Sequence, residues 1–198
     1  EPLAVGIHAV RIADVKAGSR ILIIGAGPIG LTVAQWCHFF GARDIIVSEL
    51  AEVRVELARK MGATGVIKPD IKKGAEDLLE QFIDVAGGPP DVIFECVGAP
   101  GLLQQCIEIA PYGSKIIPVG VCEQPDAIMP FFGLVKELNI QFAIAYTLDD
   151  FETSVAMLAN QRIDVAPMIT DIISLEELPQ AFEALKTPTS QCKVLAKL

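Results

Sequence analysis

A glycine-rich turn set between two apolar runs constrains this chain more than any other feature. Ile21-Leu22-Ile23-Ile24 leads straight into Gly25-Ala26-Gly27-Pro28-Ile29-Gly30, a helical pattern follows, and a second apolar run, Ile45-Ile46-Val47, ends in Ser48-Glu49. Unbroken apolar runs of this length suit strands buried on both faces of a parallel sheet. Gly25 lets the chain turn sharply off the first strand, and Gly27 keeps side chains away from an approaching ligand. Gly30 lets the helix pack close to the sheet. A helix that starts at Pro28 presents free N–H groups and positive partial charge to an anion. Glu49 stands 19 residues beyond Gly30, where an acid can accept both hydroxyls of an adenosine ribose. Gly-x-Gly-x-x-Gly alone is weak, because glycine turns also arise for backbone reasons. In the order strand, turn, helix, strand, acid, it predicts a dinucleotide site, with Gly25, Gly27, Pro28, Ile29 and Gly30 at the pyrophosphate.

The rest of the chain repeats the strand–helix alternation. A helix over 3–15 precedes strand one at 20–25. Helix 28–41, strand two at 44–48, helix 51–61 and a short strand at 65–69 follow. A charged helix stops at Gly87-Gly88-Pro89-Pro90. Strand four spans 91–95, a helix 102–110, strand five 113–119, a helix lies near 131–137, and a sixth strand covers 140–146. Such alternation predicts an α/β, Rossmann-type, doubly wound parallel sheet of six strands in the order 3-2-1-4-5-6, with its ligand crevice between strands one and four. The texture changes after Tyr146. Asp149 is expected to cap a helix ending near Asn160, Ser174-x-x-Glu177 forms a capping box for a helix to Leu185, and Lys193 opens a last strand running to Leu198. The expected division is therefore a nucleotide-binding domain over 1–146 and a C-terminal extension over 147–198.

Bulk properties narrow the function. The net charge of −9 leaves no basic patch for nucleic acid, so phosphates must be held by local backbone dipoles. No apolar stretch reaches the roughly 18 residues of a membrane span. The five cysteines are scattered and without a C-x-x-C pair, which suits reduced thiols in a cytoplasmic protein. The two histidines, His8 and His38, lie far apart without local carboxylate spacing, so a tetrahedral zinc site within this chain is not expected. The opening at Glu1-Pro2 without a Met reads as a cut rather than a native start.

Several motifs in order then resemble one family. Glu1-Pro2-Leu3-Ala4 and Gly6-Ile7-His8-Ala9-Val10-Arg11 look like the entry to the cofactor domain of zinc-dependent medium-chain alcohol dehydrogenases, nearest the sorbitol, butanediol and threonine dehydrogenase branch. The likeness continues through residues 25–30, Ala58-Arg59-Lys60-Met61-Gly62-Ala63, Glu95-Cys96-Val97-Gly98, Val119-Gly120-Val121 and Lys193-Val194-Leu195. It implies an oxidoreductase passing hydride between NAD and an alcohol or polyol, at a zinc ion supplied mainly by an N-terminal catalytic domain that this sequence does not resemble. Residues 147–198 would pack with that domain, and this chain alone would be inactive.

The resemblance also implies roles. Glu49 would bind the adenosine ribose and Arg54 flank it; Cys96 and Val97 would line the crevice. Val119, Gly120 and Val121 would hold the nicotinamide carboxamide, Lys193 would approach the pyrophosphate, and Glu1 would sit beside the metal or its bound water. Plainer readings stand beside these: Arg54 and Lys193 as solvated charges, and Cys96, Val119 and Val121 as packing residues. An ionised Glu49 would repel the 2′-phosphate of NADP by on the order of 4 kcal/mol at 4 Å and an effective dielectric near 20, which favours NAD. Family members pair edge strands into homodimers or tetramers, here through 140–146, whose uncharged, apolar sequence leaves a free edge unprotected. A zinc-free quinone or enoyl reductase, and a non-enzymatic NAD-sensing module, are the alternatives.

Overall fold

The computed structural model describes residues 1–185 and 191–197. Six parallel strands form one sheet in the order β3-β2-β1-β4-β5-β6, the expected doubly wound topology. They are β1 (Arg20–Ile24), β2 (Asp44–Ser48), β3 (Gly65–Ile67), β4 (Val92–Glu95), β5 (Lys115–Pro118) and β6 (Asn139–Ile140). Helices α1 (Pro2–Ala13), α2 (Pro28–Phe39), α3 (Glu52–Lys60), α4 (Ala75–Ala86), α5 (Leu102–Ile109) and α6 (Pro130–Val135) connect and flank them.

Strand periodicity splits the core into two layers. Ile21, Ile23, Ile45, Val47 and Phe94 point to one face, where they meet α1, α2 and α3. Leu22, Ile24, Ile46, Ile93 and Ile116 point to the other, against α4 and α5. Burial on both faces explains why the strands read as continuous apolar runs. Trp36, fully buried on α2, donates from Nε1 to the Leu3 carbonyl at 2.8 Å, which ties α1 to α2.

The C-terminal part adds α7 (Leu148–Ala159), α8 (Leu178–Ala184) and a separate parallel pair, β7 (Ile169–Ile173) with β8 (Lys193–Ala196). An ion cluster fastens α7 to α1. Arg11 Nη1 donates to Asp149 at 2.5 Å and to Asp150 at 2.6 Å, and His8 Nδ1 lies 2.9 Å from Asp150. Burial opposes ionisation of Asp150, but hydrogen bonds from Thr147, Arg11 and His8 outweigh it and hold its pKa at about 2.

Three sequence expectations are corrected. The strand expected over 140–146 is confined to Asn139–Ile140. Gln141 and Ala143 still donate to the Ile116 and Pro118 carbonyls, at 3.0 Å each. Pro118, however, has no N–H to return a bond to the edge, so the ladder stops. Thr147, not Asp149, caps α7: its hydroxyl accepts from the Asp150 N–H while the Asp150 carboxylate accepts from the Thr147 N–H. Glu177 does accept from the Ser174 N–H at 2.8 Å, yet regular helix begins only at Leu178. The last residue of the expected final strand, Leu198, lies outside the described residues.

Candidate functional site

A cleft of about 620 Å³ opens at the carboxyl ends of β1, β2 and β4, where the strand order reverses. Doubly wound sheets place ligands at this switch point, because the chain leaves neighbouring strands toward opposite faces. The glycine turn forms the cleft floor. Gly25 has φ +98°, outside the comfortable range of other residues, and its N–H is held by the Ser48 carbonyl at 2.9 Å. A Cβ on Gly30 would lie 2.0 Å from the Gly25 carbonyl oxygen, so α2 can sit this close to the turn only with glycine there. Gly27 has no neighbour within 4 Å of the corresponding point, which leaves open space where a phosphate would approach. No side chain caps α2, whose N-cap is Gly27 itself. The N–H groups of its first turn therefore remain available to a ligand.

Glu49 forms the wall beyond the glycine turn. It is 8% exposed and held by three backbone donors: Ala26 N–H to Oε2 at 3.0 Å, and Leu50 and Ala51 N–H to Oε1 at 2.7 and 2.8 Å. Arg54 Nη1 stands 3.8 Å from Oε2. A carboxylate offers about four lone-pair positions. Oε1 is filled, and Oε2 has room for one further donor. The expectation that Glu49 accepts both ribose hydroxyls at once therefore requires one of these N–H bonds to open.

Of the residues expected at the site, Gly25, Gly27, Pro28, Glu49, Arg54, Cys96 and Val97 line the cleft together. Ile29 and Gly30 lie behind the turn, in the first turn of α2. Burial, with Glu95, Cys37 and Cys106 nearby, pushes the Cys96 thiol well up, so the cleft meets a neutral S–H there. Val119, Gly120 and Val121 follow β5 outside the cleft lining; Val119 is buried and Val121 exposed. Lys193 sits on β8, also outside the lining. Burial raises the thiol of its neighbour Cys192, against the fields of Arg54 and Lys193, so the start of β8 lies in electrostatic reach of the Arg54 end of the cleft. Glu1 is the exposed N-cap of α1. Among the described residues no three His, Cys, Asp or Glu side chains are grouped so as to hold a metal ion.

Sequence reasoning missed two parts of the site. Pro69, Asp70 and Gly74, after β3, close the end of the cleft beside Glu49, and Leu102 and Gln105 on α5 form its opposite wall. The Lys68-Pro69-Asp70 break after a strand end was the available signal. The other is Glu95, the last residue of β4, which is 4% exposed. Its Oε1 accepts from the Val97 and Gly98 N–H groups at 2.6 and 2.8 Å. Its carbonyl accepts from Val119 and Gly120 at 2.8 and 2.9 Å. The two turns so joined touch through backbone: a Cβ on Gly120 would fall 2.2 Å from the Gly98 nitrogen.

The sequence profile of the zinc-binding dehydrogenase family matches residues 28–160. The chain belongs to that family. D-xylulose reductase from Saccharomyces cerevisiae is 34% identical over 190 residues, covering 92% of this chain and 52% of that protein. The crystal structure of 2R,3R-butanediol dehydrogenase from Bacillus subtilis superposes with a TM-score of 0.88 at 31% identity, over 100% of this chain and 56% of that one. A Sinorhizobium meliloti structure bound to NADP superposes with a TM-score of 0.87 at 29% identity, over 100% of this chain and 58% of its own. The resemblance read from the motifs is thus borne out, and so is the doubly wound fold. The chain spans about half the length of the relatives it matches.

Proposed function

We propose that this chain is the NAD(H)-binding portion of a zinc-type alcohol or polyol dehydrogenase. The observation that carries the reading is the pairing of an open Gly27 turn and an uncapped α2 N-terminus with a carboxylate locked 3.0 Å from the Ala26 N–H. The first-turn N–H groups of α2 hold the pyrophosphate, Oε2 of Glu49 accepts a ribose hydroxyl, and Arg54 neutralises the remaining charge at that end. Leu78, Val97 and Leu102 supply apolar walls that exclude water. When bound, the nicotinamide supplies the hydride chemistry. NAD is the preferred form because Glu49 has no freedom to swing away from a 2′-phosphate. NADH and NADPH titrations test this: NADH should bind at least tenfold more tightly, and equal affinities would overturn the preference.

Among the described residues no group of three His, Cys, Asp or Glu could hold a zinc ion. Zinc and the alcohol or polyol would be held by the half of the relatives' length that this chain does not span, with Glu1, Val119, Gly120, Val121 and Lys193 at the boundary. In this reading residues 1–146 form the cofactor domain, and residues 147–198 dock onto that further half. Exposed Leu148, Val155, Ile172, Phe182 and Leu195 support the docking. Metal removal from the complete enzyme should abolish alcohol oxidation yet leave NADH affinity within about twofold. Self-association through the β6 edge is supported by Phe142 and Ile144, 69% and 84% exposed beside it. A strict monomer in sedimentation at high concentration would refute it. Five unpaired cysteines support a cytoplasmic location.

A further inference from the structure

Glu95 ends β4, the first strand of the second mononucleotide half of the sheet. In a doubly wound fold the two halves each take one mononucleotide, and the acid at the end of β2 marks the adenosine half. Glu95 therefore belongs to the nicotinamide half. It joins both turns there, the one after β4 through its carboxylate and the one after β5 through its carbonyl.

Its charge has no counterpart. Glu95 is 4% exposed, and none of the ion pairs among the described residues includes it. The thiols of Cys96 and Cys106 next to it are held neutral, chiefly by burial. Both N–H bonds fall on Oε1, while Oε2 has no partner among the described residues and keeps some access to solvent, so the protein balances the charge only in part. A positive charge arriving in function would complete the balance. The oxidised nicotinamide ring carries one; the reduced ring is neutral.

We propose that Glu95 is a positioning residue for the nicotinamide end of the cleft whose unpaired charge favours the oxidised over the reduced dinucleotide. The inference rests on the reading of the cleft as a nicotinamide dinucleotide site. Glu95→Gln keeps the acceptor oxygen for Val97 and Gly98 and removes only the charge. Glu95→Asp keeps the charge and disturbs the geometry.

Calorimetric titration of the protein and both variants with NAD⁺ and NADH tests the proposal. The affinity ratio of NAD⁺ to NADH should fall about fivefold or more in Glu95→Gln. It should be retained in Glu95→Asp, even where both affinities drop. A ratio unchanged in Glu95→Gln overturns the proposal. Should Glu95→Gln not fold, the wild-type protein decides. It should bind NAD⁺ about fivefold or more tightly than benzamide adenine dinucleotide, an isostere without the ring charge; equal affinities again overturn the proposal. Failure of the wild type to bind any of these dinucleotides refutes the parent reading instead.

Discussion

Replacing Glu49 by Gln separates its two duties, because the amide keeps one and reverses the other. The Gln oxygen can still accept from Leu50 and Ala51, the bonds now made by Oε1 at 2.7 and 2.8 Å. The amide nitrogen then takes the place of Oε2, 3.0 Å from the Ala26 N–H. Two donors face each other in a site that is 8% exposed in the wild type. An unsatisfied, opposed pair of this kind costs about 1–3 kcal/mol, which for a chain of this size lowers the melting temperature by roughly 2–12 °C. Removing the negative charge acts oppositely on ligand choice. Repulsion between a carboxylate and one unit of phosphate charge at about 4 Å is on the order of 4 kcal/mol at an effective dielectric near 20. Arg54, 3.8 Å from the same oxygen, offsets part of it. A surviving difference of about 2 kcal/mol corresponds to a rise of roughly 30-fold in NADPH affinity relative to NADH. Calorimetric titration with both cofactors, run beside thermal unfolding, reads the two effects separately. An unchanged affinity ratio in Glu49→Gln, or a wild type that already binds both equally, would refute the electrostatic reasoning even if stability fell as expected.

Gly30→Ala should abolish cofactor binding and destabilise the protein by about 2 kcal/mol or more in urea unfolding, because its Cβ would stand 2.0 Å from the Gly25 carbonyl oxygen. Asp150, 2% exposed, has a folded-state pKa of about 2. This lies below its unfolded value, so its contribution is complete above about pH 4 and is lost as pH falls toward 2. Asp150→Asn should remove about 1 kcal/mol of that acid dependence between pH 6 and pH 3 in urea unfolding, and a slope equal to the wild type's would refute it. Under a thiol reagent Cys122, the exposed cysteine, should react first. Cys37 and Cys106, raised by burial, should react only on unfolding, and peptide mapping of the first labelled cysteine checks the order.

Much of the fold was legible in the sequence because the deciding signals were local. Ile21-Leu22-Ile23-Ile24, the glycine turn and Glu49 lie within 29 residues, and each dictates its own backbone geometry. The errors came where a partner decided. Residues 140–146 have strand composition, but ladder length there depends on Pro118, on the neighbouring strand. Thr147 does not stand out as a cap in the sequence because Asp149 and Asp150 follow it and have the same preference. With Thr147 as cap, Asp150 falls at the third helical position, where it closes the capping box and also accepts from Arg11 of α1. Ser174 and Glu177 form their contact, but Pro179, in the first turn of α8, pre-sets helical φ only from that point. In the site, the acid at the end of β2 stood out through its distance from the glycine turn. Glu95 did not, since a carboxylate at a strand end carries no sequence mark of burial.

The two acids repeat one device on either side of the switch point. Glu49 directly follows β2 and Glu95 ends β4, and each folds its carboxylate back onto two N–H groups of the turn after it, Leu50 and Ala51 for Glu49, Val97 and Gly98 for Glu95. Bonds of this kind fix the turn before any ligand arrives, which lowers the ordering cost of binding. The difference lies in the second oxygen. Oε2 of Glu49 reaches across to the Ala26 N–H, and Glu49 lines the cleft, where a ligand hydroxyl would meet it. Glu95 is not among the residues that line the cleft, and both bonds of its carboxylate go to its own turn. In a protein of net charge −9, carboxylates beside a nucleotide site are tolerable only where N–H dipoles already hold them. A pyrophosphate must likewise depend on the bare first turn of α2 rather than on any basic surface.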